Sequence, residues 1–292
     1  MDISIIIVNY NTISLTKDCI NSIFQKTFDV DFEIILVDNG STDGSKELFE
    51  KDERIKYIYS EDNLGFGRAN NIGYKYCSGK YVMFLNSDTL LLNNALAEFV
   101  SFMNTANMNV GCAGCLLYDK DLKPMHSFGK FQSSKYFLHR ILRFYWSRLC
   151  KPMNRPHTSD KYPKYVDYIT GADLLVRREV IEKCGLFDPD FFMYYEEAEM
   201  QYRYRKRGYF GVVIDTPRIM HLAGASSHAS CRSIRKEIIE LRNRYVYLRK
   251  THKGLKMKII CVLHLLMIPR IWTKMVPYDE KVEMTKMIID NC

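Results

Sequence analysis

The stretch Tyr81–Asp88, YVMFLNSD, constrains the chain more than any other. Five bulky apolar residues in succession are too few for a helix and read as a strand buried on both faces, the pattern of a parallel sheet. The run stops abruptly at Asn86, Ser87 and Asp88. Ligands of open parallel sheets bind beyond the carboxyl ends of the strands, so these polar residues fall where a substrate is held. Two earlier runs share the form: Ser4–Val8 ends in Asn9-Tyr10-Asn11, and Glu33–Val37 ends in Asp38-Asn39-Gly40. As parallel neighbours the three strands line one rim, with Asp38 and Asp88 facing a single crevice.

Between these runs the spacing changes. Leu15, Cys19, Ile20, Ile23 and Phe24 recur at helical intervals over Ile13–Lys26, with Ser14 placed to cap the helix. A loop of turn formers, Asp38–Gly44, leads into a helix over Ser45–Lys51 and a short strand over Ile55–Ile58. The alternation predicts right-handed βαβ units and a parallel sheet. Asp38, directly at a strand end, can accept bonds from a nucleobase imide or a ribose, whereas Asp43 reads as an Asx-turn residue. The glycines do not spell GxGxxG, so the ordinary dinucleotide fingerprint is absent.

A chain of 292 residues with 47% hydrophobic content has material for one large domain or two fused lobes, and is no disordered tail. Nine scattered cysteines do not form a disulfide framework and suggest a reducing compartment. Cys112 and Cys115 make a lone CxxC without the two further ligands of a zinc site, and read as buried thiols. Met1-Asp2 runs directly into the first strand with no leader, which points to synthesis finishing in the cytoplasm.

The net charge of +8 calls for an anionic partner, either a membrane surface or nucleic acid. Between His126 and Lys164 nine Lys or Arg stand against one acid, interleaved with Phe128, Phe131, Tyr136, Phe137, Phe144, Tyr145 and Trp146. In the tail, IICVLHLLMIP is flanked by Lys256, Lys258, Arg270 and Lys274. This apolar run is about half the roughly 20 residues that span a bilayer. Both segments read as amphipathic elements lying on an anionic membrane, and the tail decides against nucleic acid.

The segment NLGFGRANNIGYKYCSGKYVMFLNSDTLL, Asn63–Leu92, resembles the family 2 glycosyltransferases, whose fourth strand ends in D-x-D or an N-x-D variant. The resemblance extends upstream to VNYN (Val8–Asn11) and VDNGSTDGS (Val37–Ser45). Downstream it takes in Gly171–Tyr209 and HLAGAS (His221–Ser226). Within the family, the likeness is to bacterial rhamnosyltransferase-type members. It implies an α/β fold of GT-A type, a mostly parallel, Rossmann-like sheet flanked by helices. The donor lobe is expected over residues 1–117. An acceptor lobe over 118–230 contains the basic aromatic insertion 126–164, and a helical basic tail follows over 231–292.

The resemblance implies transfer of a sugar from a nucleotide diphosphate to a glycan or lipid-linked glycan in cell-surface polysaccharide synthesis, on the inner face of the cytoplasmic membrane. The expected donor is dTDP-rhamnose. The alternatives are a UDP-hexose donor or a catalytically silent nucleotide-sugar-binding relative. Val8, Tyr10, Asp38, Asn63, Gly65, Asn70, Asn86 and Ser87 are implied on the donor side. Asp88 and His221 are implied as ligands of a divalent cation, Mn²⁺ or Mg²⁺, the imidazole leaning towards Mn²⁺. Asn86 stands where the family's first acid is found. Glu197 is implied as the general base of an inverting displacement, with Glu196 as the other member of the acidic pair; the usual base is Asp. Gly171, Ala172 and Asp173 are implied beside the sugar. Glu199 either reaches the acceptor or pairs with Arg203 one turn on. His228 has no such support.

Overall fold

Each apolar run becomes a strand that ends where the run ends. The computed structural model describes residues 1–149, 161–222, 232–273 and 277–292. In chain order the first elements are β1 (Ile3–Asn9), α1 (Ile13–Lys26), β2 (Phe32–Asn39), α2 (Ser45–Phe49), β3 (Lys56–Ser60), α3 (Phe66–Tyr74) and β4 (Tyr81–Asn86). There follow β5 (Thr89–Leu91), α4 (Ala95–Thr105), β6 (Val110–Tyr118), β7 (Phe128–Gly129), α5 (Ser134–Leu149), β8 (Lys164–Val166), β9 (Tyr168–Ile169) and β10 (Asp173–Arg177). The remainder are α6 (Arg178–Cys184), α7 (Glu196–Lys206), β11 (Phe210–His221), α8 (Arg232–Thr251), α9 (Leu255–Leu265), α10 (Ile268–Trp272) and α11 (Tyr278–Asn291). The chain divides into two units, Met1–Gly129 with Lys161–Ala229, and Lys130–Asp160 with Ser230–Cys292.

Among the described residues of the first unit, nine strands form one sheet in the order β3-β2-β1-β4-β10-β6-β11-β5, with β8 beside β11. The three runs that open the sequence are parallel neighbours, β1 lying between β2 and β4, and Ile6 is level with Ile35 and Phe84. Their side chains alternate between two cores: Ile5, Met83 and Leu85 pack on one face, Ile6, Val82 and Phe84 on the other. Burial on both faces removes the polar alternation that a one-sided strand would show. It contributes roughly 1.5–3 kcal/mol for each large apolar side chain.

The expected lobe boundary at Leu117 falls inside β6, which pairs with both β10 and β11. Residues expected in a separate acceptor lobe therefore complete the same sheet, because β10 inserts antiparallel between β4 and β6. The basic insertion is also divided, its residues from Lys130 to Asp160 belonging with the C-terminal helices. In that second unit α5 packs on α9, through Phe137 against His264, and α11 packs on α8. Leu241, Tyr245, Ile260, Met284 and Ile288 are buried there.

Local departures have local causes. The α1 start is not capped by Ser14: Thr12 occupies the N-cap without a side-chain bond to the helix amides, and the Ile13 amide donates instead to Asp43 Oδ2 at 2.9 Å. Asp43 Oδ1 takes the Ser45 amide, so the loop carboxylate serves two helix starts. Helix α2 ends two residues early, at Phe49, and β3 starts one residue later than the expected Ile55. Strand β11 runs from Phe210 to His221 through an irregularity between Ile214 and Ile219. The Asn93 side chain spans that irregularity, donating to Thr216 O and accepting from Arg218 N, both at 2.9 Å. Cys112 and Cys115 lie three residues apart on one strand, so they belong to opposite faces and to different cores.

Candidate active site

The polar strand ends are organised by Asn9, a fully buried residue at the end of β1. Its Oδ1 accepts from the Thr12 and Thr16 hydroxyls, both at 2.8 Å, while its Nδ2 donates to Ser41 Oγ at 3.0 Å. Thr12 Oγ1 lies 3.2 Å from Ser87 Oγ, which joins the ends of β1, β2 and β4 in one hydrogen-bonded group. Sequence reading did not single out Asn9, Thr12 or Ser41, since a polar residue closing an apolar run carries no mark of what it will bond. Ser87, expected to meet the donor, is enclosed in this group.

Asp38 is level with Asn9 and is also fully buried. Its Oδ1 accepts from the Ser41 amide and its Oδ2 from the Tyr57 hydroxyl at 2.8 Å. Tyr57 answers Asp38 from β3, and burial, reinforced by that carboxylate, pushes the phenol far above its ordinary pKa. Val8 is half-buried, and Tyr10 stands exposed at the rim.

Beyond β4 the turn from Asn86 to Thr89 meets the end of β11. Thr89 pairs with His221, and the Leu222 amide donates to Asp88 O at 2.8 Å. His221 Nε2 thereby lies 3.1 Å from Asp88 Oδ1 and 3.3 Å from Asn86 Nδ2. Asp88 is 4% exposed and the His221 side chain 16% exposed. Two ligands at adjacent corners of an octahedron, with bonds of about 2.1 Å, stand about 3 Å apart. The oxygen and nitrogen of this pair already have that spacing, so the donor set fits a divalent cation. Among the described residues no group of three or more His, Cys, Asp and Glu gathers here or elsewhere. The residues of HLAGAS after Leu222, and His228, lie outside the described residues.

The Asn63–Asn70 segment does its work on the backbone. Asn63 Oδ1 accepts from the Gly65 amide and from Asn39 Nδ2, while Asn70 Nδ2 donates to Phe66 O. Gly65 has φ +82°, and a Cβ there would collide with the Phe192 carbonyl, so glycine is required on both counts. The contact serves a purpose: Phe66 N donates to Phe192 O, Arg68 Nε to Pro189 O and Asn71 Nδ2 to Phe187 O. Three bonds from the start of α3 thus hold the loop that precedes α7. Tyr194 and Tyr195, at φ 72° and 74°, close that loop in the left-handed region, a strained conformation for consecutive bulky residues.

Glu196 and Glu197 follow as the first turn of α7. Their environments differ. Glu197 is half-buried, whereas Glu196 is 4% exposed, packed near Gly67, with Oε2 unpartnered. Burial, then the neighbouring Glu197 charge, pushes the Glu196 carboxyl up to about 8. Glu199 takes the second of its expected roles, accepting from Arg203 Nε at 2.8 and 2.9 Å while buried, which removes it from the acceptor set. Gln201, unmarked in the sequence, bonds both backbone groups of Ile169 and ties α7 to β9.

Gly171 sits against the Phe66 ring, and Ala172 O accepts from the Asn86 amide at 3.0 Å. Asp173 does not face a sugar. It is fully buried within the sheet, its Oδ2 accepting from the Cys115 amide at 2.5 Å and its Oδ1 unpartnered, and burial pushes its carboxyl up to about 6.

The raised Glu196 carboxyl makes a stability prediction. Between about pH 4.5 and 8 the folded chain keeps a proton that the unfolded chain has released. The contribution of this group is complete at low pH and is lost as pH rises through about 8. In urea denaturation across this range, Glu196→Gln removes part of the decline in stability, and its gain over the unsubstituted chain grows with pH. A gain that is constant with pH contradicts the assignment.

Residues 4–185 match the family model described as "Glycosyl transferase family 2". Among curated relatives, an uncharacterized glycosyltransferase of Rickettsia bellii is 40% identical over 108 residues, 36% of this chain and 15% of that one. Glycosyltransferase GlyG of Streptococcus pneumoniae is 29% identical over 122 residues, 40% of each chain. The matches therefore span well under two thirds of these relatives. Among solved structures, mannosyltransferase PcManGT from Pyrobaculum calidifontis, in complex with GDP-Man and Mn²⁺, superposes with TM-score 0.59 at 16% identity, covering 99% of this chain and 73% of that one. GalNAc-T7 with UDP, GalNAc and Mn²⁺ gives 0.63 at 18% identity, covering 100% and 54%. The likeness to these structures establishes the GT-A-like α/β fold, and the family match, running from β1 through α6 across the ends of β1, β2 and β4, makes this chain a member of glycosyl transferase family 2.

Proposed function

We propose that the rim at the ends of β1, β2, β4 and β11 binds a nucleotide diphosphate sugar, and that the chain transfers the sugar with inversion to a hydroxyl of a glycan or lipid-linked glycan. The observation that carries this reading is the meeting of Asp88 Oδ1 and His221 Nε2 at 3.1 Å beside Asn86. The nucleobase lies beside the exposed ring of Tyr10, with Asp38 behind it. Asp88 and His221 hold Mn²⁺ or Mg²⁺, and the Mn²⁺ of the two superposed enzymes supports that choice. When bound, the cation offsets the charge growing on the departing diphosphate.

The proton step falls to α7. Glu196 retains its proton near neutrality, and the base is Glu197, the other member of the pair. Glu197 takes the acceptor proton as the hydroxyl oxygen bonds the anomeric carbon and the sugar–diphosphate bond breaks, through a transition state of oxocarbenium character. Asn86 positions His221 and the donor. Rhamnose from dTDP-rhamnose, and a place in cell-surface polysaccharide synthesis, rest on family likeness alone.

A membrane surface is the proposed setting. Leu138, Leu142 and Tyr145 are exposed along α5, and Leu255, Ile259, Val262 and Leu266 along or just after α9. Both sets recur at helical spacing, and Lys256 and Lys258 lie exposed within the second. No helix among the described residues is long and apolar enough to cross a membrane, so contact is with the surface.

Two assays test these readings. With Mn²⁺, membrane lipid extract and a panel of UDP-, GDP- and dTDP-sugars, one donor releases its nucleoside diphosphate. Glu197→Gln slows release by about 10²–10⁴-fold, and Asp88→Ala abolishes it. Failure of every donor with folded protein favours the catalytically silent relative. In flotation with anionic vesicles, Leu142→Asp and Val262→Asp each reduce bound protein. Unchanged binding rejects the membrane face.

A further inference from the structure

The helical second unit holds a half-open cavity of about 220 Å³, lined by the half-buried Arg140 of α5, Arg244 of α8 and Arg270 of α10. Bringing guanidinium groups from three helices to one partly apolar space is costly unless anions answer them. Glu237 and Glu240 also line the cavity, and Glu240 lies 3.9 Å from Lys236. Two carboxylates against three guanidiniums leave an excess of positive charge. Arg140 donates to the Tyr136 hydroxyl at 3.1 Å, and among the described residues neither Arg140 nor Arg270 has an ion-pair partner. Burial, then the charge of Arg140, hold the Arg270 guanidinium below its ordinary pKa.

A neutral ring completes the lining. His264 is 4% exposed, and burial lowers its imidazole to about 3, so the ring is neutral at pH 7. Its Nδ1 lies 2.6 Å from the Tyr245 hydroxyl. Burial pushes that phenol well above its ordinary range, so the hydroxyl keeps its proton, and Cys292 Sγ lies 3.7 Å from the same hydroxyl. Leu241, Met284 and Ile288 supply apolar wall, where a charge-assisted bond is stronger than in water.

We propose that this cavity binds a phosphate or diphosphate group, held by the guanidinium forks of Arg140, Arg244 and Arg270, with the neutral His264 ring in its wall. Planar forks suit an anion with several oxygens and a charge near −2, which a single carboxylate lacks. At about 30 Å³ for each water in the liquid, the cavity has room for a phosphate group and several waters. The site is separate from the strand-end crevice and needs no divalent cation. Its natural source is either a soluble diphosphate or the headgroup of a phosphate-bearing lipid.

The test uses the full chain in EDTA, with pyrophosphate as probe and calorimetry and the melting temperature as readouts. Pyrophosphate binds and raises the melting temperature; Arg244→Gln and Arg270→Gln each weaken it at least tenfold, while Arg270→Lys retains part of the affinity. Asp88→Ala, tested in parallel, binds pyrophosphate as tightly as the unsubstituted chain. A readout free of arginine substitutions is the His264 side-chain NH signal in NMR, which shifts on titration. Vesicles of phosphatidylcholine containing phosphatidic acid distinguish the sources: competition with pyrophosphate identifies the lipid headgroup, and its absence identifies the soluble anion. The proposal is overturned if pyrophosphate does not bind in EDTA, or if it binds without shifting the His264 signal.

Discussion

The in-register parallel pairing of β2, β1 and β4 is the constraint on which the crevice depends. It sets Asn9 level with Asp38 and Val8 level with Asn86, so that three apolar strands turn polar at one rim. A slip of one residue would turn buried side chains to the opposite face of each strand, and burial on both faces makes the slip costly. Once the register is set, the short bonds from Asn9 to Thr12, Thr16 and Ser41 hold the first two strand ends together. The crevice is therefore built from the ends of core strands, and its precision derives from the core.

Two further candidate groups come from distant parts of the chain. Strand β11 delivers His221 to Asp88 because the Asn93 side chain carries its pairing across an irregularity. Helix α7 carries the acidic pair, and three bonds from α3 fix the loop before it. The left-handed backbone of Tyr194 and Tyr195 stores strain next to Glu196, where the carboxyl is itself held in an unfavourable environment. Concentrating strain, an unpartnered oxygen and a raised pKa within three residues is the cost a fold accepts at a working site.

What could be read from the residues alone was the part set by local pattern. The apolar runs gave β1, β2 and β4 nearly to the residue, the spacing of Leu15, Cys19 and Ile23 gave α1, and the i, i+4 spacing gave the Glu199–Arg203 pair. Long-range pairing was not legible. Nothing near Leu117 signals that β6 will pair with strands arriving from residues 173 and 210. Nor does the basic segment after Lys130 show that its partners are the last helices. Asp173 was misread for a related reason: a carboxylate one residue past a loop looks exposed until the sheet closes over it.

The central claim is that Asp88 and His221 are ligands of one cation at the strand-end crevice. Pulsed electron paramagnetic resonance of Mn²⁺ added to the full chain with a nucleoside diphosphate tests it directly. The account predicts nitrogen coupling from a single imidazole, lost in His221→Ala with Mn²⁺ still bound more weakly, and loss of tight binding in Asp88→Ala. Tight Mn²⁺ binding without nitrogen coupling, or coupling that survives His221→Ala, would contradict it.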